Sequence, residues 1–147
     1  MKKINFLFKI FIIYLLFINN VFSAKPNYFD KGKNLFDQKK YEKSKFFFEQ
    51  DIVFNPKSEK SYLYLAKIFE KNENDLEQEI NLKNVILLNP KNDEAIYMLT
   101  KLKIKQSNYN EAMQLIDQFK LVCVSFCSKL DEMEEKFSKL KPENDAD

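Results

Sequence analysis

Asn55-Pro56-Lys57 returns as Asn89-Pro90-Lys91, 34 residues further along the chain. A fixed period of this length dictates stacked helical units, each too small to bury its own apolar face. The period extends beyond the tripeptide. Tyr28, Tyr62 and Ile96 share it, as do Gly32, Ala66 and Thr100, and the apolar set Phe48, Leu82 and Ile116. Each unit reads as two helices. In the first, a large residue and a small one four places later fall on one face. The small residue lets the second helix approach. The second helices start near Tyr41, Asp75 and Tyr109. They end at the Asn-Pro pairs, because proline cannot continue a helix and turns the residue before it away from helical angles.

Counting back from Pro56 and Pro90 starts the units at Lys25, Glu59 and Asp93. Position 8 of each unit is then Gly32, Ala66 and Thr100, and position 20 is Ser44, Gln78 and Ala112. With these small residues and a proline at position 32, the chain resembles the tetratricopeptide repeat (TPR) family over residues 25–124. The resemblance implies an all-α fold: an α-solenoid of three TPR-like hairpins (25–58, 59–92 and 93–124) with a capping helix over 125–141. The departures are specific. Asp51 and Phe119 replace the small residue at position 27, and Lys103 stands at an apolar position 11. Asp75 and Gln78 are expected to loosen the second hairpin, and Val124 replaces the third proline. A single glycine and four prolines, at 26, 56, 90 and 142, suit helices interrupted only at their boundaries.

The first 23 residues read as a signal peptide outside the fold. Lys2, Lys3 and Lys9 make a basic start, Ile10 to Ile18 is unbroken apolar sequence, and Val21 and Ser23 precede a cut before Ala24. The apolar run is short for a membrane span. Counting Ile4 to Phe8, with Lys9 snorkelling, makes it an N-terminal anchor instead. Both readings export the array: to a periplasm if the leader is cut, or to the periplasmic face of an inner membrane if it stays. Loss of Lys2, Lys3 and Lys9 takes 24 basic residues to 21, against 22 acidic ones. The basic balance therefore belongs to the leader, and nucleic acid is not an expected partner. All the basic residues are lysine, so bidentate guanidinium forks are absent.

Export makes a disulfide the expected state of Cys123 and Cys127. An i, i+4 pair is near the limit of reach in a regular helix. It closes more easily if Cys123 lies in a loop and Cys127 in the first turn of the next helix, with Ser125 as N-cap. A bridge there would replace the missing third proline. The alternatives are two free thiols, a redox pair or half a metal site; the spacing is not that of C-x-x-C motifs. Beyond it, Phe126, Leu130, Met133, Phe137 and Leu140 form the apolar stripe of the cap, and 142–147 reads as a disordered acidic tail.

The chain has no histidine and one glycine. Histidine-based catalysis and phosphate-cradling loops are excluded, and no catalytic residue, metal or cofactor is expected. The sharper signal is a lysine row. Lys33, Lys67 and Lys101 share position 9, and Phe29, Leu63 and Tyr97 share position 5. The TPR resemblance implies that these positions line a concave partner groove, an apolar ladder beside an ammonium ladder. Such a surface would suit a protein or peptide segment with acidic and apolar side chains. With 24 lysines in the chain, an ordinary solvated charge row stays open as the alternative. Tyr64, Glu94 and Met98 stand where the family's clamp for a C-terminal carboxylate uses asparagine and basic groups. The functional expectations are an exported adaptor, a membrane-anchored subunit of an envelope assembly complex, or, more distantly, a thiol–disulfide exchange protein. Membrane contact is expected only if the leader is retained.

Overall fold

The computed structural model describes residues 27–140, so the leader, Pro26 and the acidic tail lie outside the described residues. Among the described residues seven α-helices follow one another: α1 (Tyr28–Asp37), α2 (Tyr41–Phe54), α3 (Glu59–Lys71), α4 (Asp75–Leu88), α5 (Asp93–Lys105), α6 (Tyr109–Val122) and α7 (Leu130–Leu140). No strand occurs among the described residues. The pairs α1–α2, α3–α4 and α5–α6 pack as hairpins, and α7 lies across α5 and α6.

Local chemistry sets these boundaries. The side-chain oxygens of Asn27, Asn74, Asn92 and Asn108 each accept a hydrogen bond from the backbone N–H three residues on, capping α1, α4, α5 and α6. Asn55 and Asn89, each before a proline, close α2 and α4. Within each hairpin the chain reverses through one residue in the left-handed region: Lys39 (φ 60°), Glu73 (φ 54°) and Ser107 (φ 58°). The 34-residue period therefore holds in the backbone even where no glycine marks it.

The small residues sit at the helix contacts. Gly32 lies against the Phe48 ring, and the Ser44 hydroxyl donates to the Gly32 carbonyl at 2.8 Å. Ala66, Thr100 and Ala112 are fully buried. Two apolar clusters divide α3 between its neighbours. Tyr64, Leu65, Ile68 and Phe69 pack back onto Phe29, Phe36 and Phe48 of the first hairpin. Tyr62, Leu63 and Ala66 join the larger cluster of the second and third hairpins, which Met133 of α7 completes. The residues of α1 that correspond to the backward face of α3 are Asp30, Lys31, Asn34 and Leu35. Three of the four are polar and exposed, so this face of α1 is more polar than the matching face of α3.

Three departures from the repeat pattern resolve into contacts. The Asp51 carboxylate accepts hydrogen bonds from the hydroxyls of Ser58 and Ser61, pinning the end of α2 to the start of α3. Lys103 is only 4% exposed, with Nζ 2.6 Å from Glu79 Oε1 and 3.1 Å from Glu111 Oε2. The expected loosening of the second hairpin does not occur. Gln78 is buried at the α3–α4 contact, and Asp75 turns outward to pair with Lys105 of α5 at 2.7 Å.

The cap differs from its expected bounds. A single 3-10 turn, Cys127–Lys129, precedes α7. Ser125 does not cap it. The backbone N–H groups of Val124, Ser125 and Phe126 all donate to Asp93 Oδ2, at 2.8, 2.6 and 3.0 Å. A carboxylate at the start of α5 has captured the loop that a serine was expected to organise. The sulfurs of Cys123, the C-cap of α6, and Cys127 meet across this loop with Cα atoms 5.2 Å apart, within the span of a disulfide.

Candidate functional site

The first helices α1, α3 and α5 stand side by side and form one wall. The rings of Phe29 and Tyr64 meet edge-on at 5.8 Å, and Phe36 meets Tyr64 at 5.0 Å. Lys67 of α3 reaches Glu94 of α5 at 2.8 Å, and Lys101 of α5 reaches back to Glu70 of α3 at 3.4 Å. All six expected groove residues lie on this wall. Phe29, Leu63, Tyr97, Lys67 and Lys101 are partly buried, and Lys33 is exposed.

The apolar residues are not equivalent. Phe29 is held between Phe48 and Tyr64, with the Lys60 ammonium 5.9 Å above its ring. Leu63 packs into the main core, and Tyr97 leans on Phe126 of the cap loop at 5.9 Å. The lysines lie flat along the wall. Lys67 Nζ is 5.1 Å from the centre of the Tyr64 ring, and Lys101 Nζ is 5.5 Å from that of Tyr97. Lys33 pairs along its own helix with Asp37 at 2.7 Å, and that hydrogen bond and negative charge hold its ammonium above the ordinary lysine range.

The ladder of ammonium groups is therefore internally neutralised. Each lysine of the row already has a carboxylate, two of them supplied by the adjacent repeat. No ammonium of the row is without a carboxylate at 3.4 Å or less. Between α3, α4 and α5 the wall opens into a polar cleft of about 330 Å³, lined by Glu70, Asp75, Met98, Lys101 and Lys105 among others. Glu70 is the wall residue that the sequence reading missed, and Glu94, read there only as a departure from the carboxylate clamp, is the partner of Lys67. Their signal was available, because both occupy first-helix positions that face the same way as the lysines.

At the carboxylate-clamp positions, Tyr64 is packed among aromatic rings, Glu94 is paired with Lys67, and Met98 is buried. Nothing there is arranged to grip a terminal carboxylate.

No family model and no curated protein matches the chain. Solved structures do match. The TPR2B domain of yeast Sti1, in a pHsp70 complex, superposes with a TM-score of 0.68 at 17% identity, over 75% of this chain and 92% of that one. The first TPR domain of Spaghetti (RPAP3), bound to the HSP90 peptide SRMEEVD, gives a TM-score of 0.68 at 14% identity, over 77% and 90%. The CopN–Scc3 complex gives 0.62 at 18% identity, over 78% and 67%. The described chain has the tetratricopeptide-repeat fold: three helical hairpins and a capping helix.

Proposed function

We propose that this protein is an exported, non-enzymatic interaction module that receives an extended or helical segment of an envelope protein along the wall of α1, α3 and α5. One observation carries the reading. The backs of these helices are filled by core residues, while the position 5 and 9 side chains stay partly exposed on one wall, with Lys33 exposed. In this fold that wall is the concave side; the Spaghetti domain is bound to an HSP90 peptide and the Sti1 domain is in a pHsp70 complex. The partner segment presents apolar side chains to Leu63 and Tyr97 and carboxylates to Lys67 and Lys101. The export reading rests on residues 1–23, and it makes the Cys123–Cys127 pair a disulfide. A second reading retains the leader as an inner-membrane anchor. Asn27 emerges at the edge where α1 begins, so an anchor would tether the array by that edge. The mass of the protein recovered from the envelope separates the two.

The test is the triple reversal Lys33→Glu, Lys67→Glu and Lys101→Glu, with a crosslinking probe placed between the altered positions to capture the partner. Each lysine is already paired and screened, so single changes have small effects. The triple change places like charges beside Glu70, Glu94 and Asp37 and removes partner capture, with the helical circular dichroism intact. Unchanged, salt-insensitive capture by a folded triple variant would overturn the groove reading.

A further inference from the structure

The second helices end on one edge of the array, and that edge is unusually apolar. Val53 (69% exposed), Leu87 (79%) and Leu121 (86%) recur at the 34-residue period near the ends of α2, α4 and α6. Phe54 and, beyond α6, Val124 (86%) extend the same ridge. The Asn-Pro-Lys repeats lie here too, and Lys57 and Lys91 are exposed four residues after Val53 and Leu87.

Three carboxylates at this edge turn inward: Asp51 onto Ser58 and Ser61, Glu59 onto the side-chain amides of Asn89 and Asn92, and Asp93 onto three backbone N–H groups. Glu49 and Asp117, one turn before Val53 and Leu121, stay exposed, each paired with a lysine of its own helix. The lysines of the two repeats face out. The start of α1 lies on the same edge, because the Tyr28 ring stacks on Phe54 at 5.4 Å. Asn27, where the described residues begin, therefore lies beside the ridge.

We propose that this edge docks on an anionic lipid surface. The apolar side chains would enter the headgroup boundary, and Lys57 and Lys91 would meet lipid phosphates. Exposed aliphatic residues interleaved with ammonium groups are the chemistry of interfacial binding, and short basic segments next to a membrane are drawn to acidic headgroups. This is contact by the folded array itself, additional to whatever the leader does and separate from the groove. Among the described residues no helix is long and apolar enough to cross a membrane.

The chain contains no tryptophan, so single reporters are unambiguous. The full chain carrying Leu121→Trp is compared with one carrying Leu76→Trp, an exposed position at the opposite end of α4. Both are added to phosphatidylcholine vesicles with brominated acyl chains, with or without phosphatidylglycerol. With phosphatidylglycerol, the reporter at 121 shifts to the blue and is quenched, while the reporter at 76 is unaffected. Adding Lys57→Glu and Lys91→Glu abolishes the quenching while the circular dichroism stays unchanged. Equal quenching at both positions, no quenching at 121, or quenching that survives both neutral vesicles and lysine reversal overturns the proposal. So does a blue shift at 121 produced by soluble envelope proteins and not by vesicles, which would make the ridge a protein site.

Discussion

A Cβ built on Gly32 would lie 2.7 Å from Cε1 of Phe48. That ring cannot retreat: it is fully buried and stacked on Tyr64 at 5.0 Å. The equivalent pairs in the other hairpins are Ala66 with Leu82 and Thr100 with Ile116, so only the largest residue at the facing position demands the smallest opposite it. Gly32→Ala is expected to lower stability by about 1 kcal/mol net. Overpacking costs roughly 1–3 kcal/mol, and the better helix propensity of alanine returns up to about 1 kcal/mol. Phe48→Leu in the same chain should recover part of the loss, a non-additivity visible in urea midpoints. A Gly32→Ala variant as stable as the parent would show that the ring has room. The need for a small residue at 32, 66 and 100 was legible from periodicity alone. The reason for glycine in particular was not, because it depends on a ring sixteen residues away. The same limit applies at Lys103, where the sequence exposed an ammonium in an apolar position but not the partners Glu79 and Glu111 that make it tolerable.

At the scale of elements, the junction of α6 and α7 has two independent ties. One is the cysteine pair; the other is Asp93, whose carboxylate belongs to α5. Burial works against the Asp93 charge, but backbone N–H groups from Val124, Phe126, Ser125 and Glu94 together hold the group below its ordinary range. A folded-state value below the unfolded one stabilises at neutral pH, and that contribution fades as the carboxyl protonates in acid. With a disulfide in place, Cys127→Ser should cost about 2 kcal/mol by loop entropy, leaving the fold intact. Adding Asp93→Ala should release α7, seen as faster amide exchange over 124–140 with protection in α1–α4 retained. Uniform loss of protection would mean that the cap is not a separable element. Phe126, Leu130, Met133 and Phe137 of the cap's apolar stripe were readable from their spacing, while the side chain of Leu140 lies outside the description. The Asp93 capture was not, because an aspartate at a helix start reads as a favourable first-turn charge and reveals nothing about a loop 31 residues later. The wall of the candidate site was likewise legible as a register of lysines, while its neutralisation by Glu70 and Glu94 needed the neighbouring repeats in three dimensions.

For the whole molecule, the joint between the second and third hairpins combines apolar packing with a buried ionic cluster. Burial alone would raise the Glu79 carboxyl, but hydrogen bonds and charges from Lys103 and Lys83 lower it from 4.5 to about 2. A depressed folded-state value means that the stabilisation is complete above the unfolded value and is lost as pH falls from about 4.5 toward 2. Acid titration should therefore weaken the array through this window. Glu79→Gln should flatten that part of the profile and cost roughly 1–2 kcal/mol at neutral pH, because the buried Lys103 keeps Glu111 at 3.1 Å. An unchanged acid profile in the variant would remove Glu79 from the account. The wet outer face of α1 sets a different boundary. Asp30, Lys31 and Asn34 stand where α3 carries Tyr64, Leu65 and Ile68, so the outer face of α1 is not built like that of an internal first helix, and α7 packs on α5 and α6. An engineer lengthening this array would duplicate an internal hairpin. The natural unit is the second, whose copy would carry Glu79 but not Lys103, leaving one new joint acidic until a lysine was supplied.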